Sequence, residues 1–309
     1  MGEHYIGIDL GGTNIRMGLI NERGEVGDLL YLSTKEYCSW GDLLSELASA
    51  IMRIQVDGLR AVGIAVAGGV CISKGVVSYS PHVRWIDGQP IRESLARTVN
   101  LPVWIDNDAN AIAYGEWMYG AGKGLSSIIC LTLGSGVGGG IILDGKLHRG
   151  EGGLGGEIGH MCVEPDGRRC TCEKRGCLEA YSSGTAVTAI YRERSQNGNT
   201  GDQISPVQIY ERAIAGDKVA LEVFKCFGEH LGIAIANLVN VFSIHRYIIT
   251  GGVSQAWELF FDPLERVLDA NLFNPHRGRV EVRRGQLGDR AGVIGAAHMA
   301  QDYVKSKMG

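Results

Sequence analysis

The sequence predicts an α/β protein made of two similar domains that face each other across a cleft. Three observations carry this reading. A glycine-rich hairpin occurs twice, apolar strands alternate with helical stretches, and 309 residues exceed the usual range of one core. The repeat emerges when Asp9-Leu10-Gly11-Gly12-Thr13-Asn14 is set beside Thr132-Leu133-Gly134-Ser135-Gly136-Val137. The polar residue, Leu and Gly coincide at a constant offset of 123 positions (132 minus 9). An apolar strand precedes each turn, Tyr5 to Ile8 and Ile128 to Leu131. A second follows each, ending at a reverse turn at Asn21 or Asp144.

The remaining elements follow in order. Leu43, Leu44, Leu47, Ile51 and Ile54 recur at helical spacing and predict a helix over 40–55. Strands are expected at 60–66 and 102–105, and a helix at 109–118. A long apolar helix spans 218–242, a strand at 247–250 ends on Gly251-Gly252, and a C-terminal helix covers 291–305. The polar stretch 195–205 reads as a surface loop. The expected domains are 1–118, completed by the C-terminal helix at 291–309, and 119–290, which carries a metal-binding loop.

Composition narrows the function. A net charge of −4 leaves no electrostatic footprint for nucleic acid or an anionic membrane. No apolar run reaches the ~18 residues a membrane span needs, and no signal peptide is visible, so a cytoplasmic protein is expected. The 46 glycines cluster at 11–12, 134–140, 150–159 and 251–252, beside strands, where they mean tight turns approaching something closely.

Of eight cysteines, Cys38, Cys71, Cys130 and Cys226 lie in or beside apolar runs and read as core residues. The others include an array, His160, Cys170, Cys172 and Cys177, spaced H-x9-C-x-C-x4-C. Three thiolates and an imidazole fill a tetrahedral zinc shell and leave no position for water, so the metal is structural. Glu157 and Glu179 flank the array, where rigidly held carboxylates can read the hydroxyls of a polar ligand.

Each glycine bend alone is explained by a tight turn. As a pair, the bends offer two nests of backbone N–H groups able to grip a polyphosphate. Neither is a Walker loop or a helix-opening dinucleotide fingerprint. A third element, Ile105-Asp106-Asn107-Asp108-Ala109-Asn110, lies where a strand gives way to a helix. Asp108 there is either the helix N-cap or a proton acceptor for a sugar hydroxyl.

Together, Asp9 to Arg16, Asn107-Asp108-Ala109-Asn110, Leu133 to Gly140, Gly156-Glu157-Ile158-Gly159-His160 and the Cys-x-Cys-x4-Cys-Leu-Glu run ending at Glu179 resemble the ROK family of sugar kinases and repressors. The resemblance is closest to its bacterial glucokinases and spans nearly the whole chain. It implies the actin-like ATPase (ribonuclease H-like) fold and ATP-dependent phosphorylation of a hexose, with glucose to glucose 6-phosphate foremost. Kinases for other hexoses or a sugar-sensing repressor are the alternatives. Asp108 would be the catalytic base, and Asn107, Glu157, His160, Glu179 and Gly68 would bind the sugar. Asp9 would help hold Mg2+. Gly11, Gly12, Thr13, Asn14, Thr132, Gly134, Ser135 and Gly136 would surround the phosphates of ATP, and Gly251 and Gly252 the adenosine. His160, Cys170, Cys172 and Cys177 would bind Zn2+. A homodimer or homotetramer is expected, with hexose and ATP as its ligands.

Two departures stand out. Glu173 occupies a position where the family has Gly; if the backbone there is left-handed, Glu costs roughly 1 kcal/mol. The 78–87 segment, with His82 and Trp85, differs from the Asn-Leu-rich version in the family, and both side chains are expected to pack at the rim. A repressor would need a DNA-binding segment ahead of the first hairpin, whereas the first strand is expected near His4.

Overall fold

In the computed structural model, residues 2–54, 56–195 and 204–308 are described. The predicted loop at 195–205 lies largely outside them. The chain forms two compact units, one from Met1–Ser126, Gly140–Gly156 and Gly285–Gly309, the other from Ser127–Gly139 and Glu157–Arg284.

The elements in chain order are β1 (His4–Leu10), β2 (Asn14–Asn21), β3 (Leu30–Ser33), α1 (Trp40–Arg53), β4 (Leu59–Val66), β5 (Gly69–Cys71), β6 (Val76–Tyr79), α2 (Ile91–Val99), β7 (Val103–Asn107) and α3 (Asp108–Tyr119). There follow β8 (Ile128–Leu133), β9 (Val137–Leu143), β10 (Lys146–Leu147), α4 (Glu179–Ser182), α5 (Gly184–Arg194), α6 (Pro206–Ile214) and α7 (Lys218–Phe242). The last are β11 (Arg246–Thr250), α8 (Trp257–Asn271), β12 (Glu281–Arg284) and α9 (Ala291–Met308). Both glycine-rich hairpins, the strand before Asn107 and the long apolar helix stand where the sequence placed them. The β5–β6 hairpin, α2 and β12 are too short for a sequence pattern to mark them, and α8, although amphipathic over 15 residues, carries Pro263 inside that pattern.

The first sheet has the order β3-β2-β1-β4-β7 and the second β10-β9-β8-β11-β12. In the first, β1 pairs antiparallel with β2 and parallel with β4, and β4 pairs parallel with β7. Alternate residues of β1 face opposite sides. Ile6, Ile8 and Leu10 join Val62 and Ile64 of β4, Leu43 and Leu47 of α1 and Leu95 of α2 in one buried cluster. Tyr5 on the other face packs with Val293 and Ala297 of α9. Each such aliphatic side chain contributes ~1.5–3 kcal/mol on burial.

Helix α9 reaches its sheet because β1 and β4 carry glycine beneath it. A Cβ on Gly7 would collide with the Val293 carbonyl, and one on Gly63 with the Ala296 carbonyl. In the second unit, Gly228 and Gly232 of α7 meet the backbone of α8 at Phe260 and Leu264 in the same way. Among the described residues no helix is long and apolar enough to cross a membrane.

One core assignment is corrected. Cys130 is buried and Cys71 and Cys226 are half-buried, but Cys38 is exposed. Its neighbour Tyr37 packs against the core in an extended conformation, and successive residues of extended chain point opposite ways.

Candidate functional site

In the first unit three parallel strands end side by side. The register sets Asp9 opposite Ala65 and Ala65 opposite Asp106, with Val66 opposite Asn107. The Gly11–Asn14 turn, Gly68 and the Asn107-Asp108 pair therefore leave from one sheet edge, where α/β folds gather ligand-handling groups.

Asp9 is buried. Its Oδ2 accepts from Arg16 Nη1 at 3.3 Å, and Arg16 Nη2 reaches Asp289 Oδ1 at 3.2 Å. Burial raises the Asp9 carboxyl above the usual carboxylate range, with Arg16 opposing the shift. The first turn of α9 also lies against it, since a Cβ on Gly292 would stand 3.0 Å from Asp9 Oδ2. A helix N-terminus favours a carboxylate in its charged form.

The segment after β6 is pinned to this edge. Ser80 N donates to Asp87 Oδ1 at 2.7 Å and Ser80 Oγ to the Ala67 carbonyl at 2.9 Å. Trp85 packs on the core. His82 is exposed but lies over the glycine turn, so a Cβ on Gly12 would come within 2.8 Å of His82 Cγ. Gly12 is thus required by its neighbour, a contact that nothing local in the sequence reveals.

At the junction of β7 and α3 the N-cap is Asn107, whose side chain accepts from Asn110 N at 3.1 Å. Asn107 Nδ2 donates to the Gly68 carbonyl at 3.0 Å and to Asp108 Oδ1 at 3.1 Å. Asp108 Oδ1 also accepts from Ala109 N at 2.9 Å. The choice left open by the sequence is settled for the cap: Asn107 performs it, and Asp108 is the first helical residue. Gly68, at φ +135°, holds a conformation open to glycine, and a Cβ there would strike the Tyr79 carbonyl.

The second unit repeats the edge. Thr132 pairs with Thr250 across β8 and β11, so Gly134 and Gly251 leave from neighbouring strand ends. The bend closes with Gly134 N donating to the Gly136 carbonyl at 3.0 Å. The start of α5 grips it: Gly184 N donates to the Gly134 carbonyl at 2.8 Å and Thr185 Oγ1 to the Ser135 carbonyl at 2.8 Å. Packing explains two of these glycines. A Cβ on Gly136 would overlap Glu179 Oε2, and one on Gly251, at φ +93°, would overlap the Leu133 backbone. A Cβ on Gly134 or Gly252 would meet nothing within 4 Å. Glycine there suits a ligand brought close to the backbone.

Glu179 joins this bend to the cysteine loop. Its Oε2 accepts from Val137 N at 3.0 Å and its Oε1 from Thr171 Oγ1 at 3.1 Å. Glu157 is exposed, and its side chain makes no cap bond to the short turn that follows.

His160, Cys170, Cys172 and Cys177 bring one ligand atom each to within 4.8 Å of the others. Tetrahedral zinc, with Zn–S near 2.3 Å and Zn–N near 2.0 Å, sets S···S at about 3.8 Å and N···S at about 3.5 Å. Cys172 Sγ and Cys177 Sγ are 3.6 Å apart, and Cys170 Sγ lies 3.8 Å from His160 Nδ1. The donor set and spacing fit that ion. The loop is tied down further by Arg168, which pairs with Glu193 of α5 at 2.6 Å, and by Glu164, which meets His230 of α7 at 3.0 Å. His230 stacks on Tyr181, and although burial opposes it, bonds to Cys226 and Glu164 push the imidazole up to about 9.

Residues 5–303 match the ROK family, and the chain belongs to it. It is similar to the glucokinase of Streptomyces coelicolor, 34% identical with 96% of this chain and 97% of that protein covered. A xylose repressor of Caldicellulosiruptor bescii is 32% identical, covering 95% of this chain and 77% of the repressor. Among solved structures, a ROK family glucokinase from Streptomyces griseus in complex with glucose and AMPPNP superposes with a TM-score of 0.83. The two are 34% identical, with 97% and 99% of the chains covered. The two-sheet architecture is the actin-like ATPase fold of these relatives.

Proposed function

We propose that this protein transfers the γ-phosphoryl group of ATP to a hexose hydroxyl, with O6 of glucose the preferred acceptor. The observation that carries the reading is the placement of Asp108. It heads α3 at a sheet edge while Asn107 is the N-cap, so this carboxylate is not the cap of the helix. The resemblance to a glucokinase characterised with glucose and an ATP analogue supports the same reading.

Asp108 accepts the proton of the attacking hydroxyl as the new O–P bond forms and ADP departs. Phosphoryl transfer asks the protein mainly to position reactants and stabilise charge. Backbone N–H groups of the turn at Gly11, Gly12, Thr13 and Asn14 and of the bend at Gly134, Ser135 and Gly136 serve the phosphates, with Thr132 beside the bend. Gly251 and Gly252 serve the adenosine. Asn107, Gly68, Glu157 and Glu179 read sugar hydroxyls. His160, its Nδ1 turned to the cysteines, keeps Nε2 to donate to the sugar. Asp9 supplies a hard oxygen suited to Mg2+, which when bound neutralises phosphate charge. Zinc on His160, Cys170, Cys172 and Cys177 braces the loop.

The test is a coupled ADP-release assay across glucose, mannose, allose, fructose and the N-acetylhexosamines. The highest kcat/KM is expected with glucose. Preference for another sugar would overturn the choice of acceptor. Absence of sugar-dependent ADP release would overturn the kinase reading in favour of a sugar-binding regulator like the xylose repressor.

A further inference from the structure

We infer that Arg149 is a positioning residue for the base at Asp108, acting through the buried carboxylate of Asp106; this rests on the kinase reading above. Asp106 is 1% exposed and stands two residues before Asp108. Its two oxygens do different work. Oδ2 takes Arg149 Nε at 2.8 Å and Arg149 Nη2 at 2.7 Å, with Trp104 Nε1 at 3.3 Å. Oδ1 takes the Asn107 amide at 2.9 Å and Asn110 Nδ2 at 3.0 Å. Arg149 thus fixes the carboxylate by one oxygen so that the other holds the two residues on either side of the base.

The geometry makes the clamp specific. Two converging N–H groups set the rotation of the carboxylate, which a single ammonium does less well. Arg149 is itself held: its guanidinium lies 5.6 Å from the Trp104 ring centroid, and its carbonyl accepts from Gly155 N at 2.8 Å. Asn107 touches Asp108 directly at 3.1 Å, so a shift at Asp106 passes through one residue to the base. Asn110 Oδ1 is buried and has no hydrogen-bond partner among the described residues, so Asn110 depends on its bonds to Asp106 and Asn107 for orientation.

The experiment compares Arg149→Met, Arg149→Lys and the double variant Asp106→Asn/Arg149→Met with wild type. Steady-state kinetics with the best hexose are read beside amide hydrogen exchange over 105–112. Arg149→Met is expected to lower kcat roughly 10- to 100-fold, the effect of a base misplaced by about an ångström. The KM for ATP should stay within about twofold, and exchange should quicken over 105–112. Arg149→Lys keeps the charge but not the two-point contact, so it should recover only part of the lost kcat. The double variant buries no charge and keeps the test open if Arg149→Met fails to fold; its kcat should remain at least about tenfold low.

A double variant with wild-type kcat and exchange would overturn the inference, because the pair would then only balance a buried charge. So would unchanged kcat in Arg149→Met. If wild type phosphorylates no hexose, the kinase reading fails on its own and exchange decides the clamp: quickening confined to 105–112 supports it, and no change overturns it.

Discussion

In the first sheet the residue ahead of the glycine bend is Asp9, a buried carboxylate held by Arg16 and by the first turn of α9. In the second sheet the equivalent residue is Thr132, and its bend is held by the start of α5 and by Glu179. The strand orders are otherwise the same, β3-β2-β1-β4-β7 against β10-β9-β8-β11-β12. A duplicated scaffold has therefore been given different chemistry at one corner. The first copy keeps charged groups, Asp9, Arg16 and Asp108, suited to a metal ion and a proton. The second keeps small residues and a cysteine loop, suited to gripping neutral hydroxyls and phosphate oxygens. On the function proposed above, duplication supplies the scaffold of each unit and the divergent residues supply its chemistry.

This division predicts which kinetic constant each half controls, and Asp108 tests it most severely. Asp108→Asn keeps shape and most hydrogen bonding but removes the proton acceptor. We expect kcat to fall roughly 10²- to 10⁴-fold, the usual contribution of a general base, with the hexose Kd changed little. Retained turnover would leave Asp108 a merely local ligand of Ala109 and Asn107.

The cysteine loop should act on the other constant. Cys172→Ser removes one of the four proposed ligands, whose neighbouring donors lie 3.6–3.8 Å apart. The variant should release the metal and raise the hexose KM on the order of 10- to 100-fold, the scale on which losing a supporting contact weakens a metal-braced site, while the KM for ATP moves less. Elemental analysis of wild type should find close to one zinc per chain. Active enzyme with little zinc would remove the metal from the account.

How much of this was legible beforehand depended on sequence distance. The Asn107-Asp108 junction could be read because a strand end and a helix start are local signals, although the cap is Asn107 and not Asp108. The grouping of His160, Cys170, Cys172 and Cys177 could be read because all four fall within an 18-residue run. Arg149 on Asp106 joins residues 43 apart, and Arg16 on Asp289 residues 273 apart. No periodicity or motif encodes such pairs, since only the folded sheet brings them together. Gly7 and Gly12 likewise look like turn or strand residues until α9 and His82 are placed against them.

Gly134 and Gly136 sharpen the comparison inside one bend. Gly134→Ala adds a methyl into open space, so stability should hold while the KM for ATP rises about tenfold, the scale of one lost or strained hydrogen bond. Gly136→Ala pushes on Glu179, which ties the bend to Thr171. That variant should lose both stability and hexose affinity. Identical profiles for the two substitutions would mean the bend's glycines serve the fold alone.

The smallest expected effect lies at Glu173, which has φ +70° and an exposed side chain between the second and third cysteines. The backbone there is left-handed because the turn closes on itself, with Glu173 N donating to the Cys170 carbonyl at 3.0 Å and Cys170 N to the Lys174 carbonyl at 2.8 Å. A side chain in that region costs about 1–2 kcal/mol. Replacing it with glycine relieves the strain but adds ~0.4–1 kcal/mol of unfolded-state entropy. Glu173→Gly should therefore stabilise the metal-loaded protein by about 0.5–1 kcal/mol, read as a small rise in denaturant midpoint at unchanged slope. The hexose KM should stay put, because the ligands and Glu179 do not move. A fall in midpoint would show that the Glu173 side chain supports the loop more than its backbone strains it.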